Sequence, residues 1–195
     1  MKRSTSKKIL TTHVGSLPRP DGTDLAGGED EATLRKMVAG VVARQREAGI
    51  DVINEGEYAK GGDWLSYVDS RFDGFEARPP AGGKPLILQG KDREEFADFY
   101  KYASERGTLF FEPAGQIKQS RPHWVAVAPI KYRGADALRK EIDIFRAAIG
   151  PDTEAFITTT APASLEPYRR NEYYKSDEEF VFAIGEAMRA EYQAI

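Results

Sequence analysis

Two short stretches of this chain carry groups that could recognise a small charged molecule. In Thr11-Thr12-His13-Val14-Gly15-Ser16-Leu17-Pro18-Arg19-Pro20 an extended segment breaks into a Gly-Ser turn and a proline-stiffened loop. Gly15 permits backbone angles closed to other residues, and Pro18 and Pro20 fix the exit path. Backbone N–H groups of Val14, Gly15 and Ser16, with the Ser16 hydroxyl, suit a carboxylate. An ordinary turn, for which Gly-Ser serves equally well, is the alternative. In Ile50-Asp51-Val52-Ile53-Asn54-Glu55-Gly56-Glu57 an apolar run ends on carboxylates. Glu57, at the carboxyl end of a strand, would pair with a substrate ammonium, or else be a solvated loop glutamate. Strand alternation puts Glu55 on the same side, where each carboxylate would raise the other's proton affinity. His13 could bind a substrate or orient a metal-bound thiol; a structural donor is the plainer reading. Thr158-Thr159-Thr160 could line a pocket, although threonine is also simply a good strand former. Tyr168, Arg169, Arg170, Tyr173 and Tyr174 offer rings and positive charge for an anionic or aromatic ligand, or a solvated helix entry.

These residues need strands to carry them and helices to brace them. A first strand is expected near Lys8 to Thr12. A helix from about Asp30 to Ala48 buries Leu34, Met37, Val38, Val41 and Val42, and Gly49 ends it. The second strand is Asp51 to Glu55, followed by an irregular stretch to about Gly90. A helix starting at Asp92 and Glu95 presents Phe96, Phe99, Tyr100 and Ala103 on one face. Thr108 to Glu112 could be an extra strand or hairpin arm, and Trp124 to Ala128 reads as the third core strand. Leu138, Ile142, Phe145 and Ile149 share one helix face that stops at Gly150-Pro151. Ala155 to Thr159 is the expected fourth strand. Ser176 and Glu179 have capping-box spacing before a helix faced by Phe180, Ile184, Met188 and Ile195. The alternation is that of an α/β protein with four strand–helix units, about half of a (β/α)8 barrel of the TIM type, with an insertion near 72–119. Residues 1–195 therefore read as one partial domain. A half-barrel would expose strand edges, so self-association or a complementary half-barrel is expected.

Composition narrows the function. The 195 residues hold 28 Lys and Arg against 31 Asp and Glu, a net charge of −3, with no basic cluster to bind nucleic acid. No run has membrane-spanning length, and Ile9-Leu10 after the basic start is too short for a signal peptide, which points to the cytoplasm. Cysteine is absent and only His13 and His123 occur, so no thiolate–zinc site can form within these residues.

The Thr11–Pro20 and Ile50–Glu57 stretches resemble the opening of the catalytic barrel of the cobalamin-independent methionine synthase family. Val127-Ala128-Pro129-Ile130-Lys131-Tyr132 and the run from Tyr173 through Ser176-Asp177-Glu178-Glu179 to Ile195 are similar in kind. The resemblance implies methyl transfer from 5-methyltetrahydrofolate to the thiol of homocysteine without cobalamin. It implies amino-acid binding by Val14, Gly15, Ser16 and Glu57. It also implies a zinc site of cysteine, histidine and glutamate, whose ligands would come from a carboxyl-terminal half absent from this chain, leaving the chain inactive alone. Two departures from the family pattern occur, the second bearing on the folate donor. Glu55 stands where a histidine usually precedes the Gly-Glu pair, and no tryptophan follows Pro129-Ile130-Lys131 to stack on a pterin. Thiol alkyl transfer of the coenzyme M type, a metal-free porphyrinogen decarboxylase and a non-catalytic half-barrel binding module are the competing readings.

Overall fold

A computed structural model describes residues 8–23, 30–60, 64–79, 91–106 and 122–195. The chain divides into two compact units, Met1–Phe72 with Tyr132–Thr160 and Glu186–Ile195, and Asp73–Lys131 with Ala161–Gly185.

In the first unit, helix α1 (Glu31–Glu47) begins where the Asp30 carboxylate accepts from the Thr33 N–H at 3.0 Å. Its far end closes on the Ala48 and Gly49 N–H groups, with Gly49 at φ 78°. Met37, Val38, Val41 and Val42 recur at helical spacing and are buried with Ile53, Tyr58, Ile144 and Phe145. The last two come from α5 (Ala135–Ile149), which ends at Gly150 as its pattern predicts. Helix α2 (Trp64–Asp69) adds buried Leu65 and Val68. Short parallel pairings join the extended segments: Thr12 with Val52, and Ile53 with Ala155. The Ile53 N–H donates to the Glu154 carbonyl at 3.2 Å, and the Phe156 N–H to the Ile53 carbonyl at 3.0 Å.

That pairing corrects the expected strand order. The sequence predicts strands at Lys8 to Thr12, Asp51 to Glu55 and Ala155 to Thr159, but the structure has only isolated bridges there, and Ala155 of the expected fourth strand lies beside Ile53 of the expected second. The predicted third strand, Trp124 to Ala128, belongs to β2 (His123–Tyr132) in a three-stranded sheet of order β1–β2–β3. Here β1 is Phe72–Arg78 and β3 is Arg169–Asn171. β2 and β3 run parallel, with Trp124 opposite Arg169 and Ala126 opposite Asn171. An apolar run reveals a buried strand but not its neighbour, because all backbones offer the same N–H and C=O groups.

β1 was expected to be irregular. Its Gly74 hides the strand pattern and makes the strand possible: φ is 94°, and a Cβ there would stand 2.7 Å from the Pro129 carbonyl oxygen of β2. The second unit also holds α6 (Pro162–Leu165) and two helices, α3 (Lys91–Glu95) and α4 (Ala97–Arg106), where one was expected. Of the four residues predicted to share an apolar face there, Ala103 is buried, whereas Phe96 and Phe99 are 57% and 50% exposed. The proposed arm at Thr108 to Glu112 lies outside the described residues.

Helix α7 (Asp177–Ala194) starts as its capping spacing predicts, the Glu179 N–H donating to Ser176 Oγ at 3.1 Å. The Glu179 carboxylate reaches back to the Lys175 N–H at 3.1 Å. Phe180, Ile184 and Met188 are buried as expected, but Ile195 is 43% exposed. Among the described residues no helix is long and apolar enough to cross a membrane.

Candidate functional site

The first unit brings together the two stretches that the sequence singled out. Asn54, 1% exposed, is the lock between them. Its side-chain amide donates to the His13 carbonyl, and its oxygen accepts from the Gly56 N–H at 2.8 Å. Gln45 of α1 holds the Asn54 backbone from the other side, donating to its carbonyl at 2.7 Å and accepting from its N–H at 3.2 Å. The Leu17 N–H donates to the Gly56 carbonyl at 3.1 Å. Tyr58, fully buried, donates to the Pro18 carbonyl at 2.7 Å, while Arg19 donates to the Tyr58 carbonyl and lies 5.6 Å from its ring. The proline-rich loop is thereby tied along its length to the end of the extended segment from Asp51 to Glu55.

Backbone geometry then turns Glu57 toward Ser16. Gly56 has φ 74° and Glu57 φ 59°, so two successive residues occupy the left-handed region. Glu57 is the non-glycine residue there among the described residues. Strand alternation ends at this point, and with it the reason for grouping Glu55 with Glu57. Glu57 Oε2 accepts from Ser16 Oγ at 2.8 Å, and Oε1 accepts from Thr158 Oγ1 at 2.6 Å and Lys60 Nζ at 3.1 Å. Burial pushes the Glu57 carboxyl up, but the Thr158 and Ser16 hydrogen bonds and the Lys60 charge outweigh it and hold the group below the ordinary range. Glu55 behaves oppositely. It is 6% exposed, its Oε2 has no hydrogen-bond partner among the described residues, and burial raises its proton affinity despite the charge of Lys60.

Among the other predicted residues, Val14 is 71% exposed and Gly15 has φ 104° with open space around it. The N–H groups of Val14, Gly15 and Ser16 donate to no protein acceptor among the described residues. His13 Nε2 is buried without a hydrogen-bond partner among the described residues. Arg169 and Tyr174 serve the second unit: Arg169 donates to the Leu165 carbonyl at 3.0 Å, and Tyr174 accepts the Ile130 N–H at 2.8 Å. Sequence reasoning missed Lys60, whose signal was its place three residues after Glu57, at the end of the short helical turn Tyr58–Lys60. It also missed Asn54 and Gln45, which carry no recognisable spacing.

A second polar network in this unit steadies the threonine run. Arg71 and Glu141 pair at 2.5 Å, with Tyr67 donating to Glu141 at 2.8 Å and the guanidinium 4.1 Å from the Tyr67 ring centre. Glu191 of α7 accepts from Tyr132 at 2.8 Å and from Thr159, and Tyr192 donates to the Thr160 carbonyl at 2.6 Å. Three consecutive threonines are thus held by Lys60, Glu191 and Tyr192. A cavity of about 460 Å³ beside Glu94–Phe99 includes none of these groups.

The donor set does not fit zinc. Cysteine is absent, and among the described residues no three His, Asp or Glu side chains group to hold a metal ion. What the cluster can do is bind: free N–H groups for an anion stand beside a hydrogen-bonded carboxylate for a cation.

No protein-family model matches the chain. A solved structure, a B12-independent methionine synthase from Shewanella sp. W3-18-1 in complex with selenomethionine, is similar at TM-score 0.58 and 13% identity. The match covers 94% of this chain and 47% of that one, so this chain spans about half the neighbour's length. The mixed α/β chain therefore shares its fold with part of a B12-independent methionine synthase.

Proposed function

We propose that this chain is the amino-acid-binding part of a methyltransferase of the cobalamin-independent methionine synthase type, acting on the thiol of homocysteine with 5-methyltetrahydrofolate as donor. One observation carries the reading: the Gly-Ser turn and the Gly-Glu pair, 41 residues apart, meet at a 2.8 Å hydrogen bond. The similar fold of a methionine synthase supports it. The N–H groups of Val14 to Ser16 bind the substrate carboxylate, and the open lone pair of Glu57 Oε2 binds the ammonium, so the chain orients the amino acid. His13 and Asn54 hold the turn in register. Zinc and the groups that activate the thiol belong outside the described residues, in a complementary half-barrel; an amino-terminal half-barrel fold and a cytoplasmic setting complete the proposal.

A non-catalytic binding module is the second reading, favoured by the ammonium that Glu57 already holds from its own chain. Calorimetric titration with homocysteine tests the first. Glu57→Gln should weaken binding by the equivalent of a charge-assisted hydrogen bond, about 1.5–3 kcal/mol, and Glu55→Gln far less. Equal effects, or none at Glu57, remove the assignment.

A further inference from the structure

Lys60 sits at the centre of the Glu57 cluster, with 11% of its side chain exposed against 17% for Glu57. Its ammonium has three N–H groups, and all are spent: on Glu57 Oε1 at 3.1 Å, on the Thr158 carbonyl at 2.8 Å, and on Thr158 Oγ1. The Thr158 hydroxyl donates a hydrogen bond to the same Glu57 oxygen at 2.6 Å, closing a ring. Oε1 is therefore filled, while among the described residues Oε2 holds only the Ser16 bond and keeps one lone pair. Glu57 and Lys60 cancel in charge, so the ion pair is neutral with one acceptor open.

A simple amine cation approaching that acceptor meets a neutral ion pair with an ammonium close behind the carboxylate. A zwitterion adds no net charge, and its carboxylate has the N–H groups of the Val14–Ser16 turn to bind. We infer that Lys60 is a specificity-determining residue that restricts the Glu57 site to zwitterionic amino acids and rejects simple amine cations. The inference rests on the reading that Ser16 and Glu57 receive an amino group. Lys60 acts by its charge, so Arg should replace it and a neutral side chain should not.

The test is calorimetric titration of the 195-residue chain with L-homocysteine and with 3-aminopropane-1-thiol, which lacks only the carboxylate. The wild type should bind the amino acid more tightly by about tenfold or more. Lys60→Met should strengthen amine binding until the two ligands differ by less than about threefold, and Lys60→Arg should keep the wild-type ratio. Lys60→Gln, which can still bond Thr158, serves if the Met variant does not fold. An unchanged ratio in the neutral variants, or a ratio lost in Lys60→Arg as well, overturns the role of Lys60. Glu57→Gln separates the two claims: if it weakens homocysteine while the neutral variants leave the ratio unchanged, only the Lys60 inference falls. If Glu57→Gln changes nothing, or the wild type binds neither ligand, both fall.

Discussion

Replacing Asn54 by Ala should loosen the site and the unit that carries it. Asn54 is 1% exposed, and its side chain joins the His13 carbonyl to the Gly56 N–H, so truncation strands a buried donor and a buried acceptor. An unsatisfied buried polar group costs about 1–3 kcal/mol, and partial rehydration through the space vacated offsets some of it, so a net loss of about 2–4 kcal/mol follows. For a chain of this size each kcal/mol lowers the melting midpoint by about 2–4 °C. Thermal and urea unfolding followed by circular dichroism would measure it. Gln45→Ala provides a parallel case, since it frees the Asn54 carbonyl and N–H from the other side. On the proposed reading of the site, homocysteine affinity should also fall with Asn54→Ala even below the transition, because the turn at Gly56 and Glu57 loses its inner support. A loss of stability under about 0.5 kcal/mol, the range of ordinary surface substitutions, would refute the argument that Asn54 locks the two stretches.

The two glutamates should give pH effects of opposite sign. Glu57, held below its ordinary value, contributes stability above the unfolded-state pKa that is lost as pH falls through the folded value; Glu57→Gln should flatten the acid limb of a stability–pH profile. Glu55, raised by burial, favours the protonated folded form, so stability falls as pH climbs from the unfolded-state value through the folded one, and Glu55→Gln should remove that decline. Gly74→Ala must place a Cβ 2.7 Å from a β2 carbonyl oxygen at φ 94°, and a loss of at least about 2 kcal/mol in urea unfolding is expected from backbone strain and clash together. Arg71→Met leaves Glu141 buried without its partner and should cost about 3–5 kcal/mol, while the Arg71→Met/Glu141→Leu pair should recover part of the loss in a double-mutant cycle.

Local order was readable from the chain because it depends on near neighbours. The 3.6-residue recurrence of Met37, Val38, Val41 and Val42, and of Leu138, Ile142 and Phe145, specifies which helix faces are buried. Gly49 and Gly150 mark where those helices stop, and Ser176 with Glu179 marks where α7 starts. The Gly-Ser turn and Glu57 were recognisable as candidates for one site, since both follow strand ends. Pairing and register were not readable. Whether Ala155 lies beside Ile53, or Trp124 beside Arg169, depends on contacts between residues far apart in sequence, and a backbone N–H carries no mark of its partner. The same limit hid Lys60, whose importance comes from Thr158, 98 residues away, and from two left-handed residues that turn Glu57 out of the strand. Periodicity is a property of one segment; an ion pair braced by a distant threonine exists only once the segments have met.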